Sequence, residues 1–242
     1  MTKRLFKIFL LLCLLTGTAL ATLLGQDYFR YRREIEEKPI VTAVEEYTKK
    51  DDYTQFEQID EDFVNAVVAV EDKRFFTRKG YDFIALARAL YHNLRAGSLV
   101  EGGSTITEQI AKNLYLDGRV VGLEDKMAEI FIMFDLERSC SKQDLFALYA
   151  NMNYYGDGYW GISDAAEGYY DKKSDDLTIA EAAMLAGIPN APAMYQLSDG
   201  YDLAKERQEW VLQTMYWNGF ITESELESAK AEDVKPVTKE KP

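Results

Sequence analysis

The sequence predicts a mainly α-helical protein, one domain behind an apolar N-terminal segment, on three observations. Three times a Ser or Thr is followed three residues on by an acidic residue at the head of a helix-like run: Thr105 with Glu108, Ser141 with Asp144, and Thr178 with Glu181. This is the form of a capping box, in which side chain and backbone at a helix start satisfy each other. Apolar residues also recur at helical spacing, as in Val67, Val70 and the Glu71 that follows. Finally, 242 residues at 47% hydrophobic content are enough to bury one sizeable core.

Composition removes several kinds of function. A net charge of −13 argues against nucleic acid, whose phosphates attract basic surfaces. Cys13 and Cys140 are the only cysteines, one in the apolar N-terminal run and one in a polar connection, so no disulfide framework is expected. His92 is the sole histidine, which removes His-rich metal sites and a Ser-His-Asp triad. Carboxylates are left to do any acid–base work.

In chain order, Lys3, Arg4 and Lys7 precede the uncharged run Ile8–Leu24. As a helix that run spans about 25 Å, slightly under a hydrocarbon core of about 30 Å. It reads as an N-in transmembrane anchor over residues 1–25, with a signal peptide ending near Ala19-Leu20-Ala21 as the alternative. Residues 26–57 read as a charged, tyrosine-rich stalk, 58–232 as the domain and 233–242 as a disordered tail. Residues 83–94, FIALARALYHNL, suit either a buried helix or a surface that dips into a membrane.

Glu71 stands where an apolar helix should end, beside Asp72, Lys73 and Arg74. By position alone that is a solvated helix end. Further on, Gly102–Gly103 permit a tight turn ahead of a helix starting near Ile106. Its first N–H groups and positive dipole end would seat a phosphate or pyrophosphate, with Lys112 two turns in. Equally, Lys112 lies four residues after Glu108 and could be an ordinary surface ion pair. A helix from about Asp125 to Glu137 carries Glu129 among apolar residues, where burial disfavours its charge unless Lys126, three residues earlier, answers it. Ser141 opens the next helix, followed by a loop of glycines and aromatics, the helix IAEAAMLAG bounded by Pro189 and Pro192, and an amphipathic pair of helices turning at Asn218–Gly219 with Thr222 as a cap. Ser139-Cys140-Ser141-Lys142 fits the S-x-x-K pattern of penicillin-binding serine enzymes, but no K-T-G follows.

The run EDKRFF…GYD followed by GGSTITEQIAKN resembles the first two signature motifs of the peptidoglycan glycosyltransferases, glycosyltransferase family 51. Lys126 and Glu129 fall on the Lys and Glu of the third motif. Tyr149, Asn151, Gly156, Gly158, Gly161, Ala165, Ala166 and Tyr169 match the fourth, and LTIAEAAMLAGIPNAP resembles the fifth. The resemblance covers roughly Gln58 to Ala229 and implies a lysozyme-like, bilobed domain whose smaller lobe meets the bilayer. It also implies a monofunctional transglycosylase, single-pass in a bacterial membrane with its domain on the outer face. Its substrates would be lipid II and the growing glycan strand, with cell-wall synthesis proteins as further partners. The reaction would be an inverting displacement giving β-1,4 strands and undecaprenyl pyrophosphate.

On that reading Glu71 is the catalytic base. Ser104, Thr105, Lys112 and Lys126 receive the pyrophosphate, Gln109 and Asn151 support it by hydrogen bonds, and Glu129 assists through Lys126 or a divalent ion (magnesium or manganese). No organic cofactor is expected. Three positions depart from the family pattern: Arg78 stands where His is usual, Asp125 where Arg is usual, and Glu108 where the first of two glutamines is usual. Arg78 would offset the added negative charge if it pointed inward, and Arg119 could supply a missing cation. The departures motivate an alternative, a catalytically weakened relative that binds lipid II or scaffolds division proteins. A glycan-cleaving enzyme is a further alternative, since two carboxylates in such a fold also hydrolyse sugars.

Overall fold

The protein is seen in a computed structural model that describes residues 35–78, 104–116, 118 and 123–237, together with Arg95 and scattered positions before residue 34. Within these residues the regular elements are helices, joined by one antiparallel bridge between Tyr154 and Trp160. In order they are α1 (Ile40–Thr48), α2 (Glu61–Glu71), α3 (Ile106–Tyr115), α4 (Leu123–Ser139), α5 (Lys142–Met152), α6 (Ile162–Tyr170), α7 (Ile179–Gly187), α8 (Pro192–Tyr195), α9 (Tyr201–Trp217) and α10 (Glu223–Ala231). Thr105, Ser141, Thr178 and Thr222 each cap the helix that follows, and each cap is a complete box. These starts are local chemistry, satisfied within four residues, and they form as the sequence predicts.

Two groups of helices meet at the site. In the first, α7 lies at the centre with α2 and α9 packed on it. Alanines 180, 182, 183 and 186 keep α7 thin, and Ala180 to Gly187 are all buried. At its end, a Cβ on Gly187 would sit 2.8 Å from Cγ of Arg207, so the glycine makes room for that side chain. In the second group α3 packs on α4 and α5. There Ala128, Ile132, Met133 and Leu136 of α4 are fully buried.

Pro189 and Pro192 do not simply stop the chain. They sit in the first turn of a 3-10 turn (Ile188–Asn190) and of α8, where a missing N–H costs nothing.

Two boundaries differ from the sequence expectation. The stalk over 26–57 contains α1, whose Ile40 and Ala43 are buried, with Val44 and Tyr47 packed beside them. Tyr31 is buried too, and its hydroxyl donates to Asp135 on α4. That apolar stripe has the i, i+3, i+4, i+7 spacing of a helix that needs a partner surface, and α4 supplies it. At the other end, the tail does not begin at residue 233. Val234 is buried, and the Val237 N–H donates to the Tyr169 carbonyl at 2.7 Å.

Among the described residues no helix is long and apolar enough to cross a membrane. The expected span Ile8–Leu24 lies mostly outside them, as do residues 83–94 with His92, Gly102–Gly103, Arg119 and residues 238–242.

Candidate active site

Glu71 is the last residue of α2, half-buried where the helix meets α3. Nε2 of Gln109 donates to its Oε2 at 2.7 Å. The surrounding protein raises the Glu71 pKa, chiefly by desolvation. The Gln109 hydrogen bond and the charges of Arg207 and Lys112 oppose that rise. The result is a carboxylate more basic than a surface glutamate, with its free lone pairs still able to take a proton. Gln109 and Lys112 line a cleft of about 390 Å³ with Asn153, Tyr154 and Trp160. Trp160 is 62% exposed, with its ring 4.9 Å from that of Tyr154.

Across α3 lies the second carboxylate. Glu129 is 3% exposed, and Lys126 donates to its Oε1 at 2.5 Å. The Glu129 pKa is raised as well, again chiefly by desolvation. Lys126 and Lys112 pull it down, while Glu108 adds to the rise. The Lys112 charge thus lowers the pKa of both carboxylates. Lys126 also donates to Oε1 of Glu108 at 2.7 Å and to Oγ of exposed Ser104 at 3.4 Å. Ser104, Glu108, Lys126 and Glu129 thus gather around the start of α3, with Lys112 in its last turn.

The helix start offers fewer donors than the sequence implies. The Thr105 N–H is taken by Oε2 of Glu108, and the Glu108 N–H by Oγ1 of Thr105. The box that makes the helix legible uses two of its four end donors. Glu108 pairs with Lys126 and not with Lys112, its neighbour four residues on.

Two predicted site residues are committed elsewhere. Arg78 is buried and does not join the lysines. Its guanidinium meets Asp72 at 2.5 Å and Glu137 at 2.9 Å. Glu137 also accepts from Lys142 and Thr107, which closes a buried network beneath the segment that follows Glu71. Asn151 is a clasp: its side chain accepts from the Thr54 N–H at 2.9 Å and donates to the carbonyls of Thr54 and Ala147, both at 2.8 Å. That leaves its amide no donor for a substrate.

Sequence reading missed Arg207 and Asn153. Arg207 comes from α9, lies 4.4 Å from the Trp210 ring centroid and carries a charge that counters the burial of Glu71. Asn153 is buried on the cleft wall. Neither belongs to a helix start or a charge pair, so no local pattern marks them.

A desolvated carboxylate held by an amide, with two lysines and a second buried carboxylate behind it, has the parts for general-base displacement of an anionic leaving group. The chain matches the transglycosylase family model over residues 36–216 and belongs to that family. The match takes in α1, in keeping with its place in the domain. A protein of Cupriavidus necator named for transglycosylase activity is 35% identical over 233 residues, covering 96% of this chain and 99% of that one. Penicillin-binding protein 1F of Bacillus subtilis is 40% identical over 184 residues, covering 76% of this chain and 26% of that protein. Penicillin-binding protein 1A of Neisseria flavescens is 41% identical over 189 residues, covering 78% and 23%. The chain therefore spans about a quarter of the length of the penicillin-binding proteins it matches. Among solved structures, penicillin-binding protein 1A of Haemophilus influenzae aligns with a TM-score of 0.44 at 20% identity, over 76% of this chain and 18% of that one.

Proposed function

We propose that the protein is a peptidoglycan glycosyltransferase that polymerises lipid II into β-1,4 glycan strands on a lysozyme-like, bilobed domain. The observation that carries this is Glu71, a half-buried, desolvated carboxylate held by Gln109, which with Lys112 lines the neighbouring cleft. The acceptor sugar hydroxyl is a poor nucleophile until a base removes its proton as it attacks, and Glu71 takes that proton. Attack on the donor anomeric carbon from the face opposite its diphosphate forms the new glycosidic C–O bond. The old C–O bond breaks in the same step, its electron pair leaving with undecaprenyl pyrophosphate, and the configuration inverts. Lys112 and Lys126 meet the charge that develops on the leaving oxygens, where fixed cations are most effective.

Among the described residues no group of three or more His, Cys, Asp or Glu side chains could hold a metal ion. Where Glu108 and Glu129 converge, the Lys126 ammonium takes a cation's place. Glu129 assists the departing diphosphate through Lys126 or through a divalent ion, magnesium or manganese.

The run Ile8–Leu24, with Lys3, Arg4 and Lys7 before it, anchors the domain to the outer face of the membrane that holds its lipid substrate. Of the departures, Arg78 and Glu108 are each answered by ion pairs within the fold, and the assay below decides between turnover and a retired site. The test is to incubate the purified full chain with labelled lipid II and a divalent salt and resolve the products on a gel. A ladder of glycan strands is expected. Lipid II binding without polymer would favour the scaffold, and soluble fragments released from intact cell-wall sacculi would favour a hydrolase.

A further inference from the structure

The Lys126 ammonium has three donors: two meet carboxylates from different helices, and the third reaches Oγ of exposed Ser104 at only 3.4 Å. It reaches Glu108 on α3 at 2.7 Å and Glu129 on its own helix at 2.5 Å. One positive charge is thus set against two negative ones. Glu108 is fully buried and held at both ends, since its other oxygen accepts the Thr105 N–H at 2.8 Å. It has no room to swing aside when an anion arrives. The Lys126 side chain is 32% exposed, and its long contact with exposed Ser104 is the weakest of its three.

We propose that Glu108 is a positioning residue that limits how strongly Lys126 can hold a diphosphate, by occupying one side of its ammonium in the free protein. The inference rests on reading the start of α3 as the diphosphate seat. Glu129 on α4 also contacts Lys126, and the charge of Lys112 on α3 acts on Glu129. An incoming diphosphate must either draw Lys126 off Glu108 or share it. Restrained affinity there is useful in a processive reaction, because the leaving group must depart before the next substrate enters.

Glutamine at this position separates the two duties of Glu108. A capping box accepts Gln as well as Glu, so the bond to the Thr105 N–H survives. The second amide atom becomes a donor and releases Lys126. The experiment is calorimetric titration of the detergent-solubilised full chain with inorganic pyrophosphate, without divalent ions, for wild type, Glu108→Gln, Lys126→Met and the double variant. Glu108→Gln should bind about tenfold more tightly at an unchanged melting temperature, the size of one charge-assisted hydrogen bond returned to a partly exposed lysine. The gain should vanish in the Lys126→Met background, since the two residues act on the ligand as one unit. Equal or weaker binding by Glu108→Gln, or a gain that survives loss of Lys126, would overturn the role of Glu108 while leaving polymerisation by the wild type untouched. No binding by wild type or Glu108→Gln at millimolar pyrophosphate would overturn the diphosphate seat itself.

Discussion

Among the described residues two ion clusters are built on opposite plans. Around Arg78, two cations meet two carboxylates: Arg78 and Lys142 face Asp72 and Glu137. Three of those side chains are at most 7% exposed, and Lys142 is 18% exposed. Around Lys126, one cation meets two carboxylates, and the lysine is 32% exposed. The first cluster is balanced in charge, although Arg78, Glu137 and Lys142 also line a cavity of about 610 Å³. It joins the segment after Glu71 to α4 and α5. The second carries surplus negative charge around a lysine that is partly exposed. Burial alone does not separate structure from function here; charge balance does.

Breaking the balanced cluster should give the largest change in stability. Arg78→Met leaves Asp72 and Glu137 without their shared partner and should cost about 3–5 kcal/mol, read as a lower midpoint in chemical denaturation. A loss under about 1 kcal/mol would mean the network is loosely held.

Lys126→Met attacks the unbalanced cluster, and its effect should fall on the reaction. Removing one fixed cation from the developing charge should slow polymerisation about a hundredfold, with a smaller shift in midpoint than Arg78→Met gives. If stability fell more than activity, the comparison would be inverted.

Asn151→Ala sharpens the boundary between the two roles. It strips the Thr54 backbone of both its hydrogen bonds to Asn151 and should cost about 1–2 kcal/mol, while activity per folded molecule stays near wild type. A selective loss of activity would return Asn151 to the substrate site.

The pH dependence of stability should separate the clusters by sign. Burial pushes the Glu137 pKa up, but Lys142, Thr107 and Arg78 together pull it below the ordinary value. Its contribution is present above the unfolded carboxylate pKa and is lost as pH falls through the lower folded value. Glu71 and Glu129 are raised, so their contributions are present below the unfolded pKa and lost as pH rises through the raised folded values. Glu71→Gln should therefore raise the melting temperature near pH 8, by an amount that fades as pH falls toward the ordinary glutamate range. A gain that persisted unchanged in acid would show that ionisation is not its source.

Much of this was legible before the structure because it is local. Thr105, Ser141, Thr178 and Thr222 announce their helices within four residues, and Lys126 sits one turn from Glu129. What sequence reading missed depends on distant partners. Arg78 shows a charge, but Glu137 lies 59 positions away, and Asn151 finds Thr54 across 97. The segment read as a stalk holds a helix whose apolar stripe makes sense only once α4 is beside it. Glu108 was visible as a departure and as a cap, yet its hold on Lys126 required the fold.

The most direct test of the account is the polymerisation rate of Glu71→Gln beside wild type across a range of pH, on protein shown to be folded. Wild type should lose activity on the acid side at a pH above the ordinary glutamate range, because its base is desolvated. The variant should be slower by about 10²–10⁴-fold throughout, the usual contribution of a positioned base. A variant that makes strands at the wild-type rate would contradict the assignment of Glu71 and the mechanism built on it.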